Sequence, residues 1–131
     1  MIIKNEYPPN IEDIKSRFEI APTVVFTYGD VIYNPSGKEL PQHLIEHEST
    51  HRVQQLAYPG GPDAWWAEYL INQSFRLQEE VEAYRVQWDF ILAFCNRRDR
   101  RALYAQITKD LSSKIYGSMC SAKEAQDLIC P

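Results

Sequence analysis

Histidine is scarce in this sequence. There are three, His43, His47 and His51, and none follows His51. Cysteine is scarce as well. Cys95, Cys120 and Cys130 are odd in number and form no CxxC pair. That argues against a secreted disulfide framework and for a reducing compartment. Cys95 sits in an apolar helical run and reads as a small core residue. No apolar run approaches the roughly 20 residues of a membrane-spanning helix. The opening Met1-Ile2-Ile3-Lys4-Asn5 lacks the apolar core and the cleavage site of a signal peptide. The expected location is therefore the cytoplasm, or a larger particle that carries the chain, with no membrane partner. An excess of positive charge is missing too. The formal net charge is −4, which leaves no electrostatic footprint for nucleic acid. The one basic cluster, Arg97, Arg98, Arg100 and Arg101, is interrupted by Asp99 and reads as a solvated helix start. Nothing repeats, and no segment is low in complexity.

What is present is an ordinary globular composition over 131 residues. That length predicts one domain, 1–131, with a core that needs no staples. Tyr7-Pro8-Pro9-Asn10 is a rigid extended opening. Residues 11–18 predict a short helix with Ile11, Ile14 and Phe18 on one side, ended by Pro22. The clearest strand signal covers 23–28, then 31–33. Gly29-Asp30 between them reads as a type II′ hairpin turn. A helical pattern covers 41–56, opened by Pro41. Residues 58–62 predict a loop. Asp63 is placed to cap a short helix holding Trp65, Trp66, Tyr69 and Leu70. A long helix is expected over 74–94. Another, capped by Asp99, runs to about Tyr116, where Gly117 stops it. Ser121 with Glu124 forms a capping box for a last helix ended by Pro131. The predicted fold class is α+β: a small β-hairpin or sheet, then a helical core.

His47-Glu48-Ser49-Thr50-His51 is an HExxH motif. Residues four apart on a helix project from one face. Two imidazoles so placed can share one tetrahedral Zn²⁺ at roughly 2.0–2.1 Å. Glu48, beside the first of them, can reach a metal-bound water as general base. Leu44, Ile45, Val53 and Leu56 supply a separate core stripe. His43 lies one turn earlier, and three successive turns span about 12 Å, too far for one ion. It reads as a solvent or rim residue.

Catalytic zinc keeps three protein ligands and an open position. Gln54 and Ala57 stand where a third histidine could follow, so the third donor must be a carboxylate or a water. Glu79, Glu80 and Glu82 on the long helix are the candidates. By helical face Glu80 points inward with Leu77, Ala83 and Tyr84, and an inward carboxylate needs a partner. Glu82 shares a face with Glu79 and Arg85. Tyr84, one turn past Glu80, is placed either to hydrogen-bond a ligand or a developing oxyanion, or to pack. Gln54 and Gln55 are candidates for supporting the site from behind.

HExxH followed by Glu80-Val81-Glu82-Ala83-Tyr84 resembles the gluzincin layout, in which a glutamate on a later helix is the third ligand. It is most like the Glu-x-x-Ala-Asp version. Matching Ala83 to that alanine assigns the ligand to Glu80, and Tyr84 departs from the pattern by replacing the aspartate. A longer resemblance takes in Tyr33-Asn34-Pro35, the motif through Gln55, residues 65–70, Phe75-Arg76, residues 80–85, Leu111-Ser112 and Tyr116-Gly117. Together these look like small proteins encoded in phage and prophage genomes. The resemblance implies a zincin-like fold and a viral origin.

Three functions follow as expectations. The first is a zinc metallopeptidase acting on a peptide or protein, with Glu48 and Tyr84 at the chemistry and His47, His51 and Glu80 on the metal. The hairpin would offer its edge to an extended substrate, Trp65 and Trp66 would line a groove or the core, and loop 58–62 or a second subunit would help to hold the substrate. The second is a structural or assembly protein, a homo-oligomer or a partner of phage-particle proteins, with a structural or vestigial zinc site. The third is an adaptor that binds a host protein.

Overall fold

The structure, a computed structural model, describes residues 1–130. The helix stop expected at Pro131 lies outside them. The elements are β1 (Ile2–Lys4), α1 (Ile11–Lys15), β2 (Phe26–Tyr28), β3 (Val31–Tyr33), α2 (Gln42–Ala57), α3 (Gly61–Ile71), α4 (Gln73–Phe94), α5 (Arg97–Leu111) and α6 (Ala122–Ile129), with a 3₁₀ turn at Lys114–Tyr116 before α6. The fold is mixed α+β and mostly helical, with one three-stranded sheet in the order β1-β3-β2. No helix among the described residues is long and apolar enough to cross a membrane.

The hairpin forms as the sequence dictates. Gly29 has φ +60 and Asp30 keeps a negative φ, the combination a type II′ turn needs. The ladder pairs Phe26 with Tyr33 and Tyr28 with Val31. It is shorter than the strand expected over 23–28. Asn34-Pro35 ends β3, so Val24 and Val25 stay outside the ladder, and the Val24 amide donates to the Ala21 carbonyl in a turn. β1 pairs parallel to β3, from Ile2↔Val31 to Lys4↔Tyr33. The sequence pattern did not announce it, because all three residues are exposed and no apolar alternation marks them.

Helix boundaries moved where several residues compete to cap. α1 ends at Lys15 rather than at Phe18, well short of Pro22, although the Phe18 amide still donates to the Ile14 carbonyl. Gly60, not Asp63, precedes α3, so Gly61 and Pro62 belong to the helix and not to the loop. Gly60 has φ +93, and a Cβ there would stand 2.7 Å from that of Ala64. Asn96, not Asp99, caps α5, accepting from the Asp99 amide. α5 stops at Leu111, before the 3₁₀ turn and Gly117 at φ +83. The Ser121–Glu124 capping box of α6 is formed in both directions.

Two apolar clusters hold these elements. Ile91, Ile107, Leu111, Ala125 and Ile129 join α4, α5 and α6, with Cys95 packed against them. Ile14, Phe26, Trp65, Trp66 and Tyr69 join α1, the sheet and α3. Each fully buried aliphatic contributes about 1.5–3 kcal/mol. α2 lies between the clusters and carries only part of its expected stripe inward, with Leu44 and Ile45 half-buried. Val53 and Leu56, read as core, are 62% and 53% exposed. The buried residues of α2 are His47, Glu48, His51, Gln54 and Gln55. Such a face is tolerable only if its polar groups are partnered. Gln55, fully buried, accepts from the Gly29 amide at 2.8 Å and donates to the Thr27 carbonyl at 2.8 Å, which ties α2 to the hairpin.

Candidate metal centre

His47 and His51 project from the buried face of α2, one turn apart, and their Nε2 atoms are 3.2 Å from each other. α4 packs along α2 and brings Glu80 between them. Glu80 Oε1 is 3.1 Å from His47 Nε2 and 3.2 Å from His51 Nε2. These three donors make a nearly equilateral triangle. For a tetrahedral ion with ligands at about 2.0–2.1 Å, donor atoms stand about 3.3 Å apart, so the residues fit such an ion. All three side chains are buried, Glu80 to 2% exposure. Glu48 joins them: donor atoms of His47, Glu48 and His51 all lie within 4.8 Å of one another, a buried group that could hold a metal ion.

Surrounding residues fix these donors. His51 Nδ1 donates to Gln54 Oε1 at 2.8 Å, which turns Nε2 toward Glu80. The Gln54 amide donates in turn to the Glu79 carbonyl and to Glu82 Oε1. Tyr69 donates to Glu80 Oε2 at 2.5 Å. Arg76, one turn before Glu80 and buried, donates to the carbonyls of Tyr69 (2.7 Å) and Tyr116 (2.9 Å). It thereby ties α3 and the 3₁₀ turn to α4. Glu79 and Glu82 are engaged elsewhere, Glu79 by Trp65 Nε1 at 2.9 Å.

The electrostatics favour a positive charge at the triangle. Burial opposes a proton on His51, but the Glu80 carboxylate outweighs it and lifts the His51 pKa to about 9. Burial also opposes ionisation of Glu80, yet His51 and His47 hold its carboxyl well below the usual range. Burial pushes the Glu48 carboxyl up, helped by Glu80 and opposed by His47, His51 and the hydroxyl of Thr27. Thr27 Oγ1 donates to Glu48 Oε1 at 3.1 Å.

Tyr84 makes no hydrogen bond to these donors. Its ring stands edge-on to His47, with centroids 4.3 Å apart, and its hydroxyl pairs with that of Tyr116 at 2.7 Å. His47 Nδ1 is left buried without a hydrogen-bond partner among the described residues. His43, half-buried, pairs through Nδ1 with Gln87 at 2.8 Å, away from the triangle.

Two spaces meet at His47 and Glu48, while His51 and Glu80 line only the smaller one. An open cleft of about 670 Å³ runs between Val24-Val25 and the Tyr84, Asp110, Lys114 and Tyr116 side, with His47 and Glu48 on its floor. A smaller chamber of about 60 Å³ lies behind them among Ile14, Phe18, Phe26, Trp66 and Tyr69. Residues 58–62, read as a substrate-holding loop, line neither space. Trp65 and Trp66 line the inner chamber and are buried. Thr27, Arg76 and Tyr116 carry parts that the sequence reading did not assign. Tyr69 could have been found, since it lies four residues after Trp65 and so on one helical face with it. Tyr116 sits in a turn without periodicity and gives no such signal. Compared with family models, with curated proteins and with solved structures, the chain matches none.

Proposed function

We propose that this chain is a zinc-dependent hydrolase of the gluzincin kind, cleaving a peptide-type amide bond. The observation that carries the reading is the donor triangle of His47, His51 and Glu80, with a buried carboxylate, Glu48, beside it and an open cleft in front. Two imidazoles and a carboxylate suit zinc, and three protein donors leave a fourth position for water. Held by these residues, the ion supplies Lewis acidity, polarising a carbonyl and making a bound water acidic.

The chain's own residues do the rest. Glu48 takes a proton from the attacking water and passes it to the leaving nitrogen. Burial raises its basicity for that task. Thr27 bonds Oε1, and Oε2 lies 3.7 Å from His47 Nε2, beside the donors. Tyr84 and Tyr116 use one hydroxyl proton in their mutual bond. The second remains to donate to an oxyanion forming in the cleft that both residues line.

A structural zinc site is the second reading. One observation favours it: Glu48 forms a buried donor group with His47 and His51 and could close the fourth position. Metal analysis of protein purified without added metal tests both, with about one zinc per chain expected. A chain that stays metal-free after zinc incubation overturns the proposal. Zinc affinity that collapses in Glu48→Gln selects the structural reading.

A further inference from the structure

The two spaces beside the donors differ in kind. The cleft is the wider of the two, whereas the chamber reaches inward to buried core: Ile14, Phe26, Trp65, Trp66 and Tyr69 are each no more than 8% exposed. Ile20, Val24, Val25, His47, Glu48 and Tyr116 line both, so the chamber opens onto the cleft beside the donors. Its size sets what it can hold. An apolar cavity of about 150 Å³ takes benzene, and a single water needs about 10–15 Å³. A chamber of about 60 Å³ therefore has room for a group of a few carbons and not for a ring.

The strand edge is closed on the same side. The Thr27 carbonyl, which faces away from β3, accepts from Gln55 Nε2 at 2.8 Å and from Trp66 Nε1 at 3.0 Å. Both lone pairs are engaged, so an extended chain cannot continue pairing along β2 past this point. Charge narrows the occupant further. No lysine or arginine lines the chamber, while Glu48 and Glu80 do. The end of the chamber away from the donors is apolar, so a terminal carboxylate or a terminal ammonium would lose its hydration there.

We propose that the chamber receives the short, uncharged acyl end of an amide, so that the site removes small acyl groups from amines lying in the cleft and does not cut within a peptide chain. This rests on the hydrolase reading and narrows its substrate. The water oxygen adds to the acyl carbon and the carbon–nitrogen bond breaks. One water proton travels through Glu48 to the leaving nitrogen, and the other departs with the short carboxylic acid.

The test uses cobalt-loaded protein and a series of hydroxamates, which anchor on the metal and point their acyl group as the substrate would. Binding is read from the visible cobalt spectrum, without any activity assay. Acetohydroxamate is expected to bind about tenfold or more tightly than octanohydroxamate or benzohydroxamate. Ile14→Ala should enlarge the chamber and erase that preference. Phe18→Leu, at a half-buried position, makes the same test if Ile14→Ala does not fold. Tighter binding with longer acyl chains, or a ranking that neither substitution alters, overturns the proposal while leaving the metal site standing. Failure of cobalt to bind at all removes the hydrolase reading and this inference together.

Discussion

The hydroxyl of Tyr69 on α3 donates to Oε2 of Glu80 on α4 at 2.5 Å, while Oε1 of the same carboxylate faces both histidines. Oε2 also lies 3.2 Å from His51 Nε2, so Tyr69 holds the carboxylate by an oxygen that itself borders the donor triangle. A tyrosine in this place orients a ligand and limits how far its charge spreads.

Tyr69→Phe should therefore lower zinc affinity by about 10–100-fold and leave the fold intact, since only a hydroxyl is lost. Competition against a chromophoric chelator measures it, with circular dichroism as the control for folding. Unchanged affinity would mean that Glu80 is held well enough by packing alone.

The three neighbouring glutamates should separate cleanly. Glu80→Gln is expected to cost more than the roughly 10–100-fold typical of a supporting residue, because it removes a donor from the triangle. Glu79→Gln and Glu82→Gln should leave affinity nearly unchanged, since those carboxylates bond Trp65 and Gln54. Loss of metal in Glu82→Gln with retention in Glu80→Gln would reverse the assignment.

How much of this was legible depends on how local each feature is. The closeness of His47 and His51 follows from helix geometry alone, and the inward aim of Glu80 from its face on α4. The capping box at Ser121 is equally local. The outward aim of Val53 and Leu56 was not legible. Apolar residues tend inward, but the rule does not run backwards, and much apolar surface stays exposed in any fold. What set the facing of α2 was its polar bonding to the hairpin and to α4, through Gln55, Gln54 and the histidines, which depends on long-range packing. The same holds for Thr27 on Glu48, for Arg76 on Tyr116, and for β1, which finds β3 across the whole hairpin. Asn96 and Gly60 displaced Asp99 and Asp63 because several cap-competent residues stand close together and sequence alone does not rank them.

Zinc affinity should rise with pH. Metal-free His51, with a pKa lifted to about 9 by Glu80 against the cost of burial, holds a proton that an ion must displace. Glu80, held below the usual carboxylate range, is already ionised and adds no slope. Apparent affinity should climb about tenfold per pH unit through neutrality and level off near pH 9. For the metal-free fold the sign is opposite. A raised folded pKa stabilises fully below the unfolded value of 6.5, and that contribution is lost as pH rises through about 9. Chelator competition and denaturant melts across this range check both, and a flat affinity profile contradicts the His51–Glu80 pair.

Glu48→Gln should keep the metal and lose about 10²–10⁴-fold in turnover, the usual worth of a general base. Glutamine is close to isosteric but accepts no proton. Short N-acyl amines and a peptide library are the substrates with which to begin. Turnover that survives the substitution would assign the proton transfer to another group.

Thr27→Val probes Glu48 without touching it. The Thr27 hydroxyl bonds Glu48 Oε1 and is one of the influences holding that carboxyl down against burial. Valine keeps the branched shape that a strand position favours and removes the donor. The Glu48 pKa, already raised, should then rise further. A base must be ionised to act, so the acid limb of the kcat/KM profile should move to higher pH. The alkaline limb should stay, because Thr27 bonds neither a histidine nor Glu80. Zinc affinity at neutral pH should hold as well, which separates this effect from damage to the metal centre. An acid limb that stays still, or moves to lower pH, would show that the group limiting the reaction on the acid side is not Glu48.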